Sequence, residues 1–218
     1  MALQDLLWAC PLCHRVEAID RTGKCGGCGA RFRRAAGATI AATAGAGAAA
    51  TIDAPREAVA WLAMLPWGDL DGEGLGLPGG VEPPFEQRAE VRTAGTELPL
   101  RRAGRFLGAV ERFGPAVQGT LRLDLQRVRF DPLRAHSGSA GKGEPPPSWE
   151  WPLTQLTAIQ PASSAIQLKA RTAPVVSLRF PDGSIRLWEQ RLKYCTRAAW
   201  QASGKGEISE FQPWIRSR

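Results

Sequence analysis

Histidine is scarce in this chain, with two among 218 residues. His14 follows a cysteine and His136 lies in a Gly- and Pro-rich stretch, so neither sits in a nucleophile–base constellation. There is no apolar run of the roughly 18 residues a membrane-crossing helix needs; the longest candidate, Gly37 to Ile52, consists mainly of Ala, Gly and Thr. The opening Met1-Ala2-Leu3-Gln4-Asp5 has neither the basic start nor the apolar core of a secretory leader, so the expectation is a soluble, cytoplasmic chain. Gly74-Leu75-Gly76 lacks the lysine of a phosphate-binding loop. Gly45 to Ala50 matches G-x-G-x-x-A, but Pro55 follows and no strand-borne acid sits about twenty positions on. No carboxylate pair stands out among the 21 acidic residues. These absences assign no catalytic residue and no small-molecule substrate, and the chain is read as a non-enzyme.

What is present is a folded composition, with 44% hydrophobic and 22% charged residues, punctuated by 24 glycines and 17 prolines. The charge is uneven: residues 1–36 carry +3, residues 37–104 carry −4 and residues 105–218 carry +8, for +7 overall. The division expected from this is a small cysteine-rich unit over 1–36, a linker over 37–104 and a larger module over 105–218. In the linker, a short helix is expected over about 54–65, with Asp53 as N-cap, Pro55 in the first turn and Pro66 as the stop. Gly68 to Pro84 reads as loop.

Four of the five cysteines fall in the first unit, as Cys10-Pro11-Leu12-Cys13 and Cys25-Gly26-Gly27-Cys28. Two C-x2-C knuckles can place four thiolates about 2.3 Å from one tetrahedral metal, which closes the coordination sphere and makes the site structural. The glycines allow the second knuckle to curl and aim amides at sulfur. Residues 8–36 resemble the zinc-ribbon family in this pattern, and the resemblance implies Zn2+ held by Cys10, Cys13, Cys25 and Cys28. His14 replaces the glycine usual after the second cysteine; it is read as an exposed or supporting residue, with cysteine replacement as the alternative. A unit of about 30 residues buries too little surface to fold alone, so metal and fold should be coupled. Disulfides or redox thiols are the competing readings, disfavoured by the cytoplasmic expectation and the paired knuckles. Arg31, Arg33 and Arg34 flank Phe32, a cluster able to touch nucleic acid but more simply a solvated strand end.

The third segment reads as β-strands followed by one helix. Strands are expected at Phe106–Phe113, Gly119–Asp124, Val128–Phe130, Ser148–Pro152, Ala165–Lys169, Val175–Phe180 and Ser184–Trp188, with an extra pair at Gln87–Thr93 and Glu97–Arg101. From Glu189 a helical stripe of Leu192, Cys195 and Ala199 runs to about Gly204; Cys195 is read as a core residue. The run Gly119-Thr-Leu-Arg-Leu-Asp-Leu-Gln-Arg127-Val-Arg-Phe130 resembles the GRAM family of the pleckstrin-homology-like superfold, whose pattern is G-x-L-x-L-T-x-x-R-L-x-F, departing from it at Asp124 and Val128. The resemblance implies a mostly β fold, a seven-stranded barrel capped by a C-terminal helix, and a non-catalytic module that binds membrane lipid or protein.

Strand parity supplies a surface. With Leu121, Leu123, Val128, Phe130, Ile166, Leu168, Leu178, Phe180, Ile185 and Leu187 inward, Arg122, Arg127, Arg129, Lys169, Arg179 and Arg186 face outward, joined by Arg101, Arg102 and Arg105 at the entrance. Those nine are the candidate lipid- or partner-binding residues; ordinary solvated strand faces are the competing account. Trp149 and Trp151 point one way, to core or to a membrane interface, after a loop over Asp131–Ser148. The final segment, with Ile208, Phe211, Trp214 and Ile215, is expected to dock back on the module. The functional expectation is an adaptor whose zinc-held ribbon accompanies a module docking on an anionic membrane surface or a protein partner, with peripheral membrane localisation following from the former. The runners-up are a nucleic-acid-binding zinc-ribbon protein and a regulatory subunit of a membrane-lipid enzyme.

Overall fold

A computed structural model describes residues 3–36, 39–45, 55–65, 82–133, 148–161 and 164–204. The expected tail docking, His136, Asp53, Pro66 and most of the expected loops at 68–84 and 131–148 lie outside the described residues.

Two apolar clusters organise the molecule. The first gathers a short helix α1 (Leu3–Leu6), the cysteine loops, strands β1 (Arg31–Arg34), β2 (Thr39–Thr43) and β3 (Arg56–Glu57), and helix α2 (Ala58–Leu62). The three strands form one antiparallel sheet in the order β1-β2-β3. Phe32 and Trp61 meet edge to face at 5.7 Å, and the Trp61 indole donates to the Ile40 carbonyl at 2.9 Å. A buried tryptophan needs such an acceptor for its N–H. The sequence reading put the helix start at Asp53 and Pro55; instead Arg56 and Glu57 pair with β2 and the helix begins at Ala58. The Ala- and Gly-rich stretch that read as bland linker supplies β2, since Ile40 and Ala42 alternate inward.

The second cluster lies inside a mostly β module. Strands β4 (Phe85–Arg102), β6 (Val117–Leu123), β7 (Arg127–Pro132), β8 (Trp149–Pro152), β9 (Leu156–Pro161), β10 (Ile166–Ala170) and β11 (Val176–Arg179) pair antiparallel in the order β8-β7-β6-β4-β11-β10-β9. β5 (Arg105–Phe113) pairs with β4 alone, off that path. Helix α3 (Ile185–Ala202) sets Trp188, Leu192, Cys195 and Ala199 into the sheet's concave core. Seven bent strands with one C-terminal helix are the pleckstrin-homology-like architecture expected.

Two strand assignments change. The supposed accessory pair at Gln87–Thr93 and Glu97–Arg101 is one continuous strand, β4, bonded to β6 on one edge and β11 on the other. Its inward series is Phe85, Gln87, Ala89 and Val91; the polar Gln87 breaks the apolar alternation because its side-chain oxygen accepts the Trp188 indole N–H. The stretch Ser184–Trp188 is helix, not strand. Ser184 caps it, with its side chain accepting from Leu187 N–H and its carbonyl accepting from Trp188 N–H. The alternating apolar residues that suggested a strand are split by the helical period: Trp188 enters the barrel core, while Leu187 is fully buried in the first cluster.

The other inward residues of the parity argument behave as expected: Leu121, Leu123, Val128, Phe130, Ile166, Leu168, Leu178 and Phe180 are buried, and Ile185 partly so. Within the Gly119–Phe130 run, a Cβ on Gly119 would lie 2.4 Å from both the Asp131 carbonyl oxygen and the Phe130 ring. The run's first and last residues therefore specify one close contact across the β6–β7 pair.

Candidate metal centre and basic surface

The two knuckles fold alike. In the first, Cys10 N–H donates to the Arg15 carbonyl at 3.0 Å and His14 N–H to the Cys10 carbonyl at 2.7 Å. In the second, Cys25 N–H donates to the Ala30 carbonyl at 2.8 Å and Gly29 N–H to the Cys25 carbonyl at 3.0 Å. Bridges Ala9 to Val16 and Lys24 to Arg31 close the two loops at equivalent positions. Each knuckle needs a left-handed residue after its second cysteine: Gly29 has φ 72° and His14 has φ 59°. His14 thus occupies the glycine's conformational place, is exposed, and stands apart from the four-thiol group. Gly27 is also constrained, since a Cβ there would meet the Cys13 Sγ at 3.1 Å.

The four Sγ atoms lie within 4.8 Å of one another, with Cys10–Cys28 at 3.7 Å and Cys13–Cys25 at 3.6 Å. A disulfide would hold sulfurs at about 2.05 Å, and all five cysteines are free thiols. A tetrahedron of thiolates 2.3 Å from a metal has edges of about 3.8 Å, so the donor set and its spacing fit a closed four-sulfur site for a metal ion. Amides are aimed at the sulfurs: Gly27 N–H donates to Cys25 Sγ at 3.3 Å. Burial pushes the Cys10 thiol well up, and the Cys28 thiol also rises through burial. At Cys25 burial is outweighed by the Cys28 and Gly27 amides and the Cys10 and Cys13 thiols, which lower it. Such N–H donors stabilise negative sulfur and complete the site's outer shell.

The first cluster extends beyond the cysteine loops to helix α3. Leu187 is fully buried among Trp8, Phe32, Trp61 and their neighbours. The Arg21 guanidinium donates to the Pro181 carbonyl at 3.3 Å and lies 4.0 Å from Asp182. One turn along the same face of α3, Arg191 is buried, with its guanidinium 4.6 Å from the Phe85 ring and 5.5 Å from the Trp188 ring. Sequence reading missed Leu187 and Arg21 as contacts between the units, and Arg191 as a buried charge over the barrel's aromatic rings. A helix with only one stripe scored as apolar gives no signal that its other stripe is covered.

The nine candidate docking residues are all exposed, but they fall into two sets. Across β6, β7 and β8, arginines and carboxylates interleave. Arg122 pairs with Glu86 at 2.9 Å, Arg127 with Glu150 at 2.8 Å and Arg129 with Asp131 at 2.7 Å. Asp131, by hydrogen bond and charge, and then the charge of Glu150 raise Arg129 further above the ordinary guanidinium range. Arg186 pairs with buried Glu189 at 2.8 Å, a carboxylate also reached by Lys193 at 3.2 Å. Arg179 donates to Ser164 at 2.8 Å. Arg101, Arg102, Arg105 and Lys169 have no acidic partner among the described residues.

The aromatic candidates are engaged. Phe32 is buried, so the Arg31–Arg34 cluster has no exposed ring for base stacking. Trp149 and Trp151 stack at 4.4 Å, half-buried against the barrel core, and Trp149 stacks on Phe130 at 5.8 Å.

No protein-family model matches the chain, and no curated protein matches it in sequence. Among solved structures, the chain is similar to the solution structure of the N-terminal PH domain of ARAP2 protein from human, with a TM-score of 0.31 and 9% identity over 60% of this chain and 92% of that one. With a likeness that low, the fold reading rests on the strand order and the helix packed into the sheet. No described helix is long and apolar enough to cross a membrane.

Proposed function

We propose that the chain is a non-enzymatic adaptor: a zinc ion on Cys10, Cys13, Cys25 and Cys28 fixes the N-terminal unit against helix α3, and the pleckstrin-homology-like module docks on anionic membrane lipid or a protein partner. The observation that carries this is the closed four-thiol set, with pairs at 3.6 and 3.7 Å, in a unit whose apolar cluster runs into α3 through Leu187. Zinc is favoured over other metals because four thiolates in a closed tetrahedral set are its usual structural environment. A four-sulfur site leaves no position for water, which supports a structural rather than a catalytic metal. The proposed division of the chain follows the clusters. The first unit takes in α1 through Leu65, extending past the 1–36 that cysteine spacing suggested, and the second begins with β4 at Phe85, earlier than the expected start at 105.

Peripheral membrane localisation belongs to this reading, as does relation to the GRAM family. Nucleic-acid binding is the weaker reading because Phe32 is buried and the outward arginines of β6 and β7 already face carboxylates. Co-sedimentation with anionic and with neutral vesicles near 0.15 M salt tests the proposal, with single-stranded DNA as competitor. Binding to anionic vesicles that withstands DNA, or salt-resistant retention of a defined protein partner, is the expected result. Binding to DNA alone, with a steep salt dependence, overturns it.

A further inference from the structure

The β4–β5 arm is charged against itself. Beyond Thr93, the last β4 residue paired with β11, β4 continues to Arg102 with β5 as its one strand partner among the described residues. In that pairing Glu97 stands directly across from Glu111, and Arg102 directly across from Arg105. Like charges opposed across an antiparallel pair destabilise it. A lone two-stranded hairpin is marginally stable even without such pairs, and three or more strands with an apolar face are needed to stand independently. Phe106, next to Arg105, is 62% exposed, the most of any large apolar side chain described.

The charges that suit each other badly within one arm suit a second arm. β5 spans Arg105–Phe113, nine residues without a proline, and its outer edge has no strand partner among the described residues. An open edge of that length is a template for another strand, because its N–H and C=O groups are free to pair. The other edge of the arm, on β4, is interrupted by Pro99, which has no N–H to donate. Along β5 the sequence is basic at Arg105, acidic at Glu111, and uncharged from Phe106 to Val110. Two copies aligned antiparallel about Gly108 set Arg105 of each across from Glu111 of the other, and Phe106 across from Val110. Leu107, which the register shift leaves without a β4 partner, falls across from Ala109 of the second copy. A parallel alignment in register would oppose Arg105 to Arg105 and Glu111 to Glu111. Moving the centre to Ala109 would set Arg105 against Phe113 and lose both opposite-charge pairs.

We propose that the outer edge of β5 is a homodimer interface: two copies of this chain pair antiparallel about Gly108 and join their arms into one four-stranded sheet. The sheet then passes the three-strand threshold that a single arm does not reach. This goes beyond the adaptor reading and holds whatever the module docks on.

The test uses the full zinc-loaded chain and sedimentation equilibrium. Arg105→Glu alone sets acid against acid at both symmetric sites, and Glu111→Arg alone sets base against base, so each should weaken dimerisation by about tenfold or more. Within one arm the same changes convert a like-charge pair into an opposite-charge pair, so lost association cannot be put down to a damaged hairpin. An equimolar mixture of the two single variants restores both opposite-charge pairs, as does the doubly substituted chain, and each should associate to within about threefold of wild type. Cross-linking supplies the register independently. Gly108→Cys lies on the two-fold axis and should form a disulfide-linked dimer with diamide, measured against the unsubstituted chain as background. Arg112→Cys, about 26 Å from its counterpart in this alignment at the rise of a strand, should not.

A wild-type chain that stays monomeric up to millimolar concentration overturns the proposal. So does a dimer that neither single charge change weakens, or one in which the mixed variants fail to recover association. Cross-linking through Arg112→Cys but not Gly108→Cys overturns the alignment about Gly108. Each of these outcomes leaves the adaptor reading standing, since vesicle or partner binding is measured separately.

Discussion

Replacing Leu187 by alanine examines how the two units are joined. Leu187 belongs by chain to the barrel's helix, yet it is fully buried in the cluster built by the cysteine loops. Removing it should cost roughly 2–5 kcal/mol in lost burial and residual cavity. For a chain of this size each kcal/mol shifts the melting midpoint by about 2–4 °C, so a mid-range loss of about 3 kcal/mol predicts a fall of about 6–12 °C. The informative comparison is with metal removed. If chelation unfolds the N-terminal unit, Leu187 is already uncovered, and the substitution should then cost no more than an exposed one, about 0.5 kcal/mol. Leu192, equally buried on the same helix but facing the barrel, provides the control: Leu192→Ala should cost the same with or without metal. Urea unfolding of both variants, followed by tryptophan fluorescence with zinc and with chelator, gives the four differences directly. A Leu187→Ala penalty that chelation leaves unchanged would refute the claim that the metal-held unit covers this helix face.

Three further outcomes follow from single residues. Gly119→Ala should destabilise the barrel by about 1–3 kcal/mol, because the added methyl has to displace the Phe130 ring or the β7 backbone; equilibrium unfolding measures it. His14→Ala should leave one metal per chain and Cys28→Ala should lose it, read by native mass spectrometry, since His14 is exposed and outside the four-thiol group. Burial pushes the Cys195 thiol up to about 12, so the folded chain keeps this proton while the unfolded chain sheds it from about pH 8.5 upward. Stability should therefore fall as pH rises from that point towards 12, less steeply in Cys195→Ala, and iodoacetamide should reach Cys195 only after denaturation.

Sequence legibility followed the local chemistry. The cysteine pairs were readable because the knuckle is a local structure: each loop closes with hydrogen bonds spanning four or five residues. Even His14, which breaks the glycine habit, breaks it only in residue type, since its φ of 59° keeps the required conformation. The β6–β7 hairpin was readable because its apolar residues alternate without exception and Gly119 answers Phe130. The misses came from contacts distant in sequence. Gln87 hid β4, the barrel's central strand, because its inward polar group is satisfied by Trp188, 101 residues away. Leu187 looked like a strand residue because its burial is supplied by another unit. The charge pattern identified which arginines face outward but not which were neutralised, as Arg122 meets Glu86 across 36 residues.

The most direct test of the account is to measure zinc content and local protection together in the purified chain. One zinc per chain is expected. Chelation should expose residues 3–65 to protease and free Cys10, Cys13, Cys25 and Cys28 for alkylation, while the barrel from β4 to α3 stays resistant and Cys195 unlabelled. A chain that carries no zinc, or that loses it without any change in protection of residues 3–65, would contradict the claim that the metal holds this unit together.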